Sequence, residues 1–242
     1  MFRGLLACLA IGGVLAALPV AGADAQSNPL SRLVGRDAER QAGSVWFERA
    51  DGRGRFIFDR TGRPALILPE GSDEVIAVYP ARASGGGEVW QSDTGRVVLR
   101  FSNLGGATYF PPDAPDGVIA DPVGEARLIA AEPASAEELQ RAARRMVDSL
   151  ASRARREVSA EVLDAGPGAN AYIIDAMRMV ARAADDTPRR ALRDLEVVRI
   201  GIGEAPRADY SAGVLDISVN PAMGYGGRPS SGLIQRELER AG

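Results

Sequence analysis

No histidine and no lysine occur among the 242 residues of this chain, so each of its 29 basic side chains is an arginine, and Cys8 is its one cysteine. Without imidazole the usual proton shuttle near neutral pH is missing, which excludes Ser-His-Asp and Cys-His nucleophilic catalysis. Without lysine there is no P-loop ammonium, no Schiff base and no Ser-Lys dyad. Thiolate and imidazole ligands for zinc, copper or haem are also missing once Cys8 is set aside, and no cofactor is expected. What remains is carboxylate chemistry, arginine recognition of anions, and calcium or magnesium held by oxygens. A formal charge of −3 and a pI near 5.3 offer no basic face, so nucleic acid is not an expected partner.

What is present begins with an export signal. Arg3, an apolar run over 5–20 and the small-x-small site Ala23-Asp24-Ala25 read as a secretory signal peptide spanning 1–25, cut after Ala25. About 16 apolar residues broken by Gly12, Gly13 and Pro19 fall short of a ~30 Å hydrocarbon core, which argues against a retained anchor. Leu5-Leu6-Ala7-Cys8 looks like a lipoprotein box, but too few residues precede it to form an apolar targeting region. Cleavage removes Cys8, so the mature protein is expected in the periplasm or outside the cell, without a disulfide and without a transmembrane segment. Residues 26–43 are polar and read as a tether or short helix.

Residues 44–110 read as a β-meander domain. Short runs of alternating apolar and polar residues are separated by turns such as Asp51-Gly52-Arg53-Gly54, Gly85-Gly86-Gly87 and Asp93-Thr94-Gly95. Nine of the twelve aromatics beyond residue 25 lie there: Trp46, Phe47, Phe56, Phe58, Tyr79, Trp90, Phe101, Tyr109 and Phe110. Asp59-Arg60-Thr61-Gly62-Arg63 and Ser92-Asp93-Thr94-Gly95-Arg96 resemble each other, which hints at a duplicated hairpin. Two copies are too few for a propeller, so the expectation is one curved sheet or small barrel of about six or seven strands. Aromatics such as Trp46, Tyr79, Trp90 and Tyr109 fit a barrel pocket, but at strand spacing they read better as core.

Residues 111–134 hold prolines 111, 112, 115, 122 and 133 and read as a linker or strap, with at most a short strand over 127–130. Residues 135–242 read as an α+β domain. Ser135 with Glu138 forms a capping box that opens a first helix. A strand around 158–162, a helix over 170–184, strands over 197–202 and 214–219 joined by a polar loop, and a closing helix over 229–241 follow. The fold class is therefore α+β, an N-terminal antiparallel meander followed by a small α+β layer.

The strongest local candidate for a site is Gly224-Tyr225-Gly226-Gly227-Arg228-Pro229-Ser230-Ser231, where a glycine-rich loop feeds a helix. Gly224, Tyr225, Gly226, Gly227, Arg228, Ser230 and Ser231 together offer backbone N–H groups, a guanidinium fork and two hydroxyls, which suit phosphate, sulfate or carboxylate. The plainer reading is a strand-to-helix connection in which the glycines meet backbone angles and a serine caps the helix. Arg141, Arg144, Arg145, Arg153, Arg155 and Arg156 form a basic stripe that suits anionic lipid heads. The i,i+4 pairs Glu137–Arg141 and Arg144–Asp148 also fit an ordinary solvated face. Glu48, Asp51, Asp59, Glu74, Glu88 and Asp93 lie in or beside the sheet, where a converging pair would serve glycoside hydrolysis, although turns account for Asp51, Asp59 and Asp93. Asp51-Gly52, Asp93-Thr94-Gly95 and the acids of 113–116 fall short of an EF-hand loop, so no metal site is expected.

Leu99-Arg100-Phe101-Ser102-Asn103-Leu104-Gly105-Gly106-Ala107-Thr108-Tyr109-Phe110, the late Gly-Tyr-Gly-Gly-Arg-Pro-Ser run and the signal peptide together resemble an uncharacterised domain family of exported alphaproteobacterial proteins. The likeness covers most of the mature chain and implies no catalytic residue. Trp90-Gln91-Ser92-Asp93-Thr94-Gly95 is similar to a pattern of small β-barrel periplasmic protease inhibitors, whose usual cysteine pair this chain lacks. The expected function is that of a non-enzymatic envelope protein binding a protein partner or an anionic envelope component. A carboxylate-based hydrolase and a protease inhibitor are the alternatives.

Overall fold

Eight strands follow one another through the first half of the chain, each pairing antiparallel with the next: β1 (Ser44–Arg49), β2 (Arg55–Asp59), β3 (Ala65–Pro69), β4 (Ile76–Ala81), β5 (Glu88–Gln91), β6 (Val97–Phe101), β7 (Ala107–Tyr109) and β8 (Val118–Glu125). β8 then pairs with β1, from Val45↔Glu125 to Arg49↔Ala120, and closes the meander into a barrel. The computed structural model describes residues 43–83, 86–163 and 166–241. The expected signal peptide, the tether up to residue 42, and Gly85 of the glycine turn lie outside them.

The eighth strand lies inside the stretch expected to be a proline-rich linker, and 127–130, expected to be a short strand, has no strand structure. Pro122 explains both the disguise and how the strand survives it. It faces Phe47 where the register shifts between Trp46 and Phe47, so its missing N–H falls where the ladder is already interrupted.

Strand alternation turns one side chain in two into the barrel, and aromatics fill the space. Phe56 stacks between Phe47 (centroids 5.3 Å apart) and Tyr109 (4.2 Å), while Phe58 meets Trp90 at 5.3 Å and Phe101 at 5.8 Å. Burying each of these phenyl groups contributes about 1.5–3 kcal/mol. Eight strands enclose a space that side chains can fill, so the barrel is packed. Trp46, Tyr79 and Phe110 remain partly exposed, with the Arg55 guanidinium 4.7 Å above the Trp46 ring. Val98, the extra residue at the register shift between Trp90 and Gln91, is fully buried beside Leu99.

The second half is a four-stranded sheet covered by helices. Helix α1 (Ala136–Ala154) carries the expected capping box: Glu138 N donates to Ser135 Oγ at 3.2 Å, and Ser135 N to Glu138 Oε2 at 2.8 Å. β9 (Ser159–Val162), α2 (Asn170–Asp186), β10 (Val197–Ile202), β11 (Arg207–Ser211), β12 (Val214–Val219) and α3 (Ser231–Ala241) follow. Sheet order is β11-β12-β10-β9, with β10 parallel to both its neighbours and β11 antiparallel to β12. Val198, Ile200, Leu215, Ile217 and Val219 point to the helices, while Arg199 joins Glu161 (2.9 Å) and Asp216 (3.1 Å) on the opposite face. β11 occupies what reads as a polar loop, since only Tyr210 of its five residues is buried.

Among the described residues no helix is long and apolar enough to cross a membrane.

Candidate functional site

The turns joining β1–β2, β3–β4, β5–β6 and β7–β8 form one rim of the barrel, and the helices sit against it. The glycine-rich run packs along β3 and β4 and enters this seam at Arg228, Ser230 and Ser231. Residues Pro221–Gly227 form a 3-10 segment with a break at Gly224 (φ 57°), capped by Asn220, whose Oδ1 accepts from Ala222 N at 3.1 Å. Asn220 N donates to Gly227 O at 2.7 Å and closes the loop on itself. Gly226 packs on the Pro64 ring of the barrel, and Tyr225 meets Tyr172 edge-on at 5.9 Å.

Arg228 follows, buried at 2 % exposure. Its Nε donates to Asp175 Oδ2 on α2 at 2.5 Å, and its Nη2 donates to Val75 O on the barrel at 2.9 Å. Burial outweighs this guanidinium and pushes the Asp175 carboxyl above its ordinary range. Ser230 is the N-cap of α3, accepting from Leu233 N at 3.1 Å, while its own N and Oγ donate to Asp93 at 2.8 and 2.7 Å. Ser231 Oγ donates to Glu74 Oε2 at 2.8 Å. Arg182 of α2 adds Nη1 to Glu74 at 3.0 Å and Nη2 to Asp73 at 3.1 Å.

The donors of the expected anion cradle are thus turned to carboxylates of the same chain: Arg228 to Asp175, Ser230 to Asp93 and Ser231 to Glu74. Gly224, Tyr225, Gly226 and Gly227 shape the turn that brings them there. A helix N-terminus favours negative charge, and the barrel rim supplies two acids at the right height. Glu74→Ala removes acceptors from both Ser231 and Arg182, and is expected to lower stability by about 2–3 kcal/mol in urea denaturation.

Beside this seam a cleft of about 1320 Å³ opens between the rim and the three helices. Met146 and Met177 form part of its floor, Tyr109 and Pro112 part of its barrel wall, and Ala181 and Gln235 part of its helical wall. The charged groups of its barrel wall are paired, whereas Arg145, Asp185 and Asp186 on the helical side have no side-chain pairing among the described residues. Buried Arg49 holds Asp51 through Nη2 at 2.7 Å and Asp113 through Nη1 at 3.0 Å, which depresses both carboxyls below their ordinary range. Arg55 holds Glu70 at 2.5 Å. Burial pushes the Tyr109 phenol up to about 12, so it stays neutral.

The other acids singled out in the sequence are dispersed. Asp59 is buried, accepts from Thr61 N at 2.9 Å, and through Ile129 N at 2.8 Å ties the strap to the barrel. Glu88 pairs with Arg60 at 2.9 Å, and Glu48 is exposed on β1. Among the described residues no cluster of three or more His, Cys, Asp or Glu is placed to hold a metal ion.

The arginine stripe of α1 divides. Arg153 caps the C-terminal end of α2, donating to Ala184 O at 3.2 Å, Asp185 O at 2.9 Å and Thr187 O at 3.0 Å. Arg156 donates to Arg193 O at 2.8 Å and pairs with Glu196 at 2.9 Å. Arg141 and Arg145 instead border a second cleft of about 470 Å³, between α1, α2 and the strap. Asp175 and Arg182 escape sequence reading; the available signal was a lone aspartate between Ile173, Ile174, Ala176 and Met177, all buried.

A closed eight-stranded meander, laced by its rim to a helix-covered sheet with a cleft along the seam, defines a two-part α+β class of protein. Within it, the chain belongs to the family described as "Domain of unknown function (DUF4908)", which it matches over residues 29–238. The likeness to an uncharacterised domain family, carried by the 99–110 segment and the late glycine run, holds at that level. No curated protein and no solved structure matches the chain.

Proposed function

We propose that this is an exported, non-enzymatic protein of the cell envelope that binds a segment of a partner polypeptide in the seam cleft. The cleft itself carries the reading. Its floor is apolar at Met146 and Met177, its walls present guanidinium and carboxylate groups side by side, and that mixture complements a polypeptide better than a single-sign ligand. Support for binding rather than turnover comes from the acids of its barrel wall, where Arg49 holds Asp51 and Asp113 and Arg55 holds Glu70, since a general acid or base needs a carboxylate released from arginine. The export part rests on Arg3, the apolar run over 5–20 and Ala23-Asp24-Ala25.

A photo-crosslinking residue placed at Ala181 or Gln235 is expected to trap one partner from envelope extracts. Ala181→Arg, which fills the cleft, should abolish that product as read through Gln235. Equal trapping by a crosslinker at Arg207, on the edge strand β11, or efficient turnover of a substrate by the purified protein, would overturn the reading.

A further inference from the structure

We infer that Arg127, Arg141, Arg145 and Arg178 form a binding site for a phosphoryl group carried by a small hydroxylated molecule, in a second cleft that shares Arg145 and Arg178 with the border of the seam cleft. All four line the cleft of about 470 Å³ between the strap, α1 and α2, a volume within the ~300–1,000 Å³ range of small-molecule sites. They come from three elements: Arg127 from the strap, Arg141 and Arg145 one helical turn apart on α1, and Arg178 from α2.

These guanidinium groups are poorly neutralised. Arg141 reaches Glu137 only at 3.8 Å, where that carboxylate is 86 % exposed, and Arg178 reaches Asp175 only at 4.0 Å. The side chains of Arg127 and Arg145 have no hydrogen bond or ion pair with the described residues. Of the acids that border the cleft, Glu138 is turned onto Ser135 N and Asp175 holds Arg228, leaving Glu132 as the lining acid without an engagement among the described residues. Like charges spaced i,i+4 on a helix repel, so Arg141 and Arg145 are held together at a cost that an anion between them removes.

The ligand chemistry follows from that arrangement. A planar carboxylate satisfies one or two guanidinium forks lying in its plane, whereas a tetrahedral phosphoryl group presents oxygens in the several directions from which these four arrive. A second observation concerns the rest of the molecule. Asp175 lines the same cleft, is 2 % exposed, and its Oδ1 is a buried acceptor with no donor. A hydroxyl adjoining the phosphoryl group supplies that donor, and so completes a pairing the folded chain leaves open.

Calorimetric titration and thermal melting of the full mature protein with sn-glycerol 3-phosphate, inorganic phosphate, citrate and glycerol test this. Glycerol 3-phosphate should bind most tightly and raise Tm, inorganic phosphate more weakly, and glycerol not at all, with affinity falling as salt is added. Arg145→Gln and Arg178→Gln should each weaken glycerol 3-phosphate about ten-fold while leaving the unliganded Tm unchanged, because both side chains are exposed. Vesicles containing phosphatidylglycerol distinguish the sources: competition with glycerol 3-phosphate assigns the phosphoryl group to a lipid headgroup, and its absence assigns it to a soluble metabolite. The inference is overturned if neither phosphate compound binds, if the Arg145→Gln/Arg178→Gln double variant binds as well as the parent, or if citrate binds more tightly than both.

Discussion

Arg228→Met is expected to destabilise the protein by about 3–5 kcal/mol, the range seen when one partner of a buried ion pair is removed. In a chain of this size that corresponds to a fall in Tm of roughly 6–20 °C. The loss has two parts. Asp175 is left at 2 % exposure with no guanidinium against its Oδ2, and Val75 O loses the donor Arg228 supplied. Chemical denaturation followed by circular dichroism measures it. The double variant Arg228→Met/Asp175→Leu should recover much of the loss, because an apolar pair leaves no buried charge. Failure of that rescue would mean the damage lies in packing rather than in the orphaned carboxylate.

The same pair sets a pH dependence. Burial raises the Asp175 carboxyl in the folded protein, so the folded state binds its proton more tightly than the unfolded chain does. The stability this contributes is fully present below the ordinary carboxyl pKa and is lost as pH rises through the raised folded value. Removing Arg228 takes away the group that opposes the shift, and the folded value rises further. The gap in denaturation midpoint between parent and Arg228→Met should therefore narrow on acidification and widen towards neutrality. A gap constant across that window would show that Asp175 is not the group responsible.

How far the sequence foretells this molecule depends on how local each feature's cause is. β1 to β6 are legible because alternation and glycine-bearing turns act over a few residues, as in Arg55–Asp59, where Phe56 and Phe58 fall on the inner face, whereas the three residues of β7 are too short to show a pattern. The capping box of Ser135 and Glu138 is legible for the same reason. β8 is hidden because proline content argues against a strand, and only its closure onto β1 makes Pro122 tolerable. β11 is hidden because an edge strand with one buried side chain has no pattern to show. The glycine loop is the instructive intermediate. Its donors to anions are visible in the sequence, but Val75, Glu74 and Asp93 lie 153, 157 and 137 residues from their partners. Local chemistry shows that Arg228, Ser230 and Ser231 seek negative groups; only the fold shows that the barrel rim supplies them.

Gly227→Ala is the other substitution expected to have a large effect, about 3–4 kcal/mol, through steric conflict rather than charge. A Cβ there would fall inside the van der Waals shell of the Asn220 carbonyl, which is backbone and has little room to move, and would press on the Met223 side chain at 3.2 Å. The hydrogen bond from Asn220 N to Gly227 O at 2.7 Å closes the same loop, so relieving the clash opens the turn that aims Arg228 at Asp175. Gly226→Ala meets the Pro64 ring instead, a side-chain contact across the seam. It should therefore loosen the seam while sparing the barrel, and hydrogen exchange should show faster opening around α3 than in β1 to β3. If Gly227 acts by positioning Arg228, its effect and that of Arg228→Met cannot add. The Gly227→Ala/Arg228→Met double variant should lose well under the sum of the two single losses, since each disables the same joint. Full additivity would separate the turn from the ion pair and leave the glycine with a purely local role.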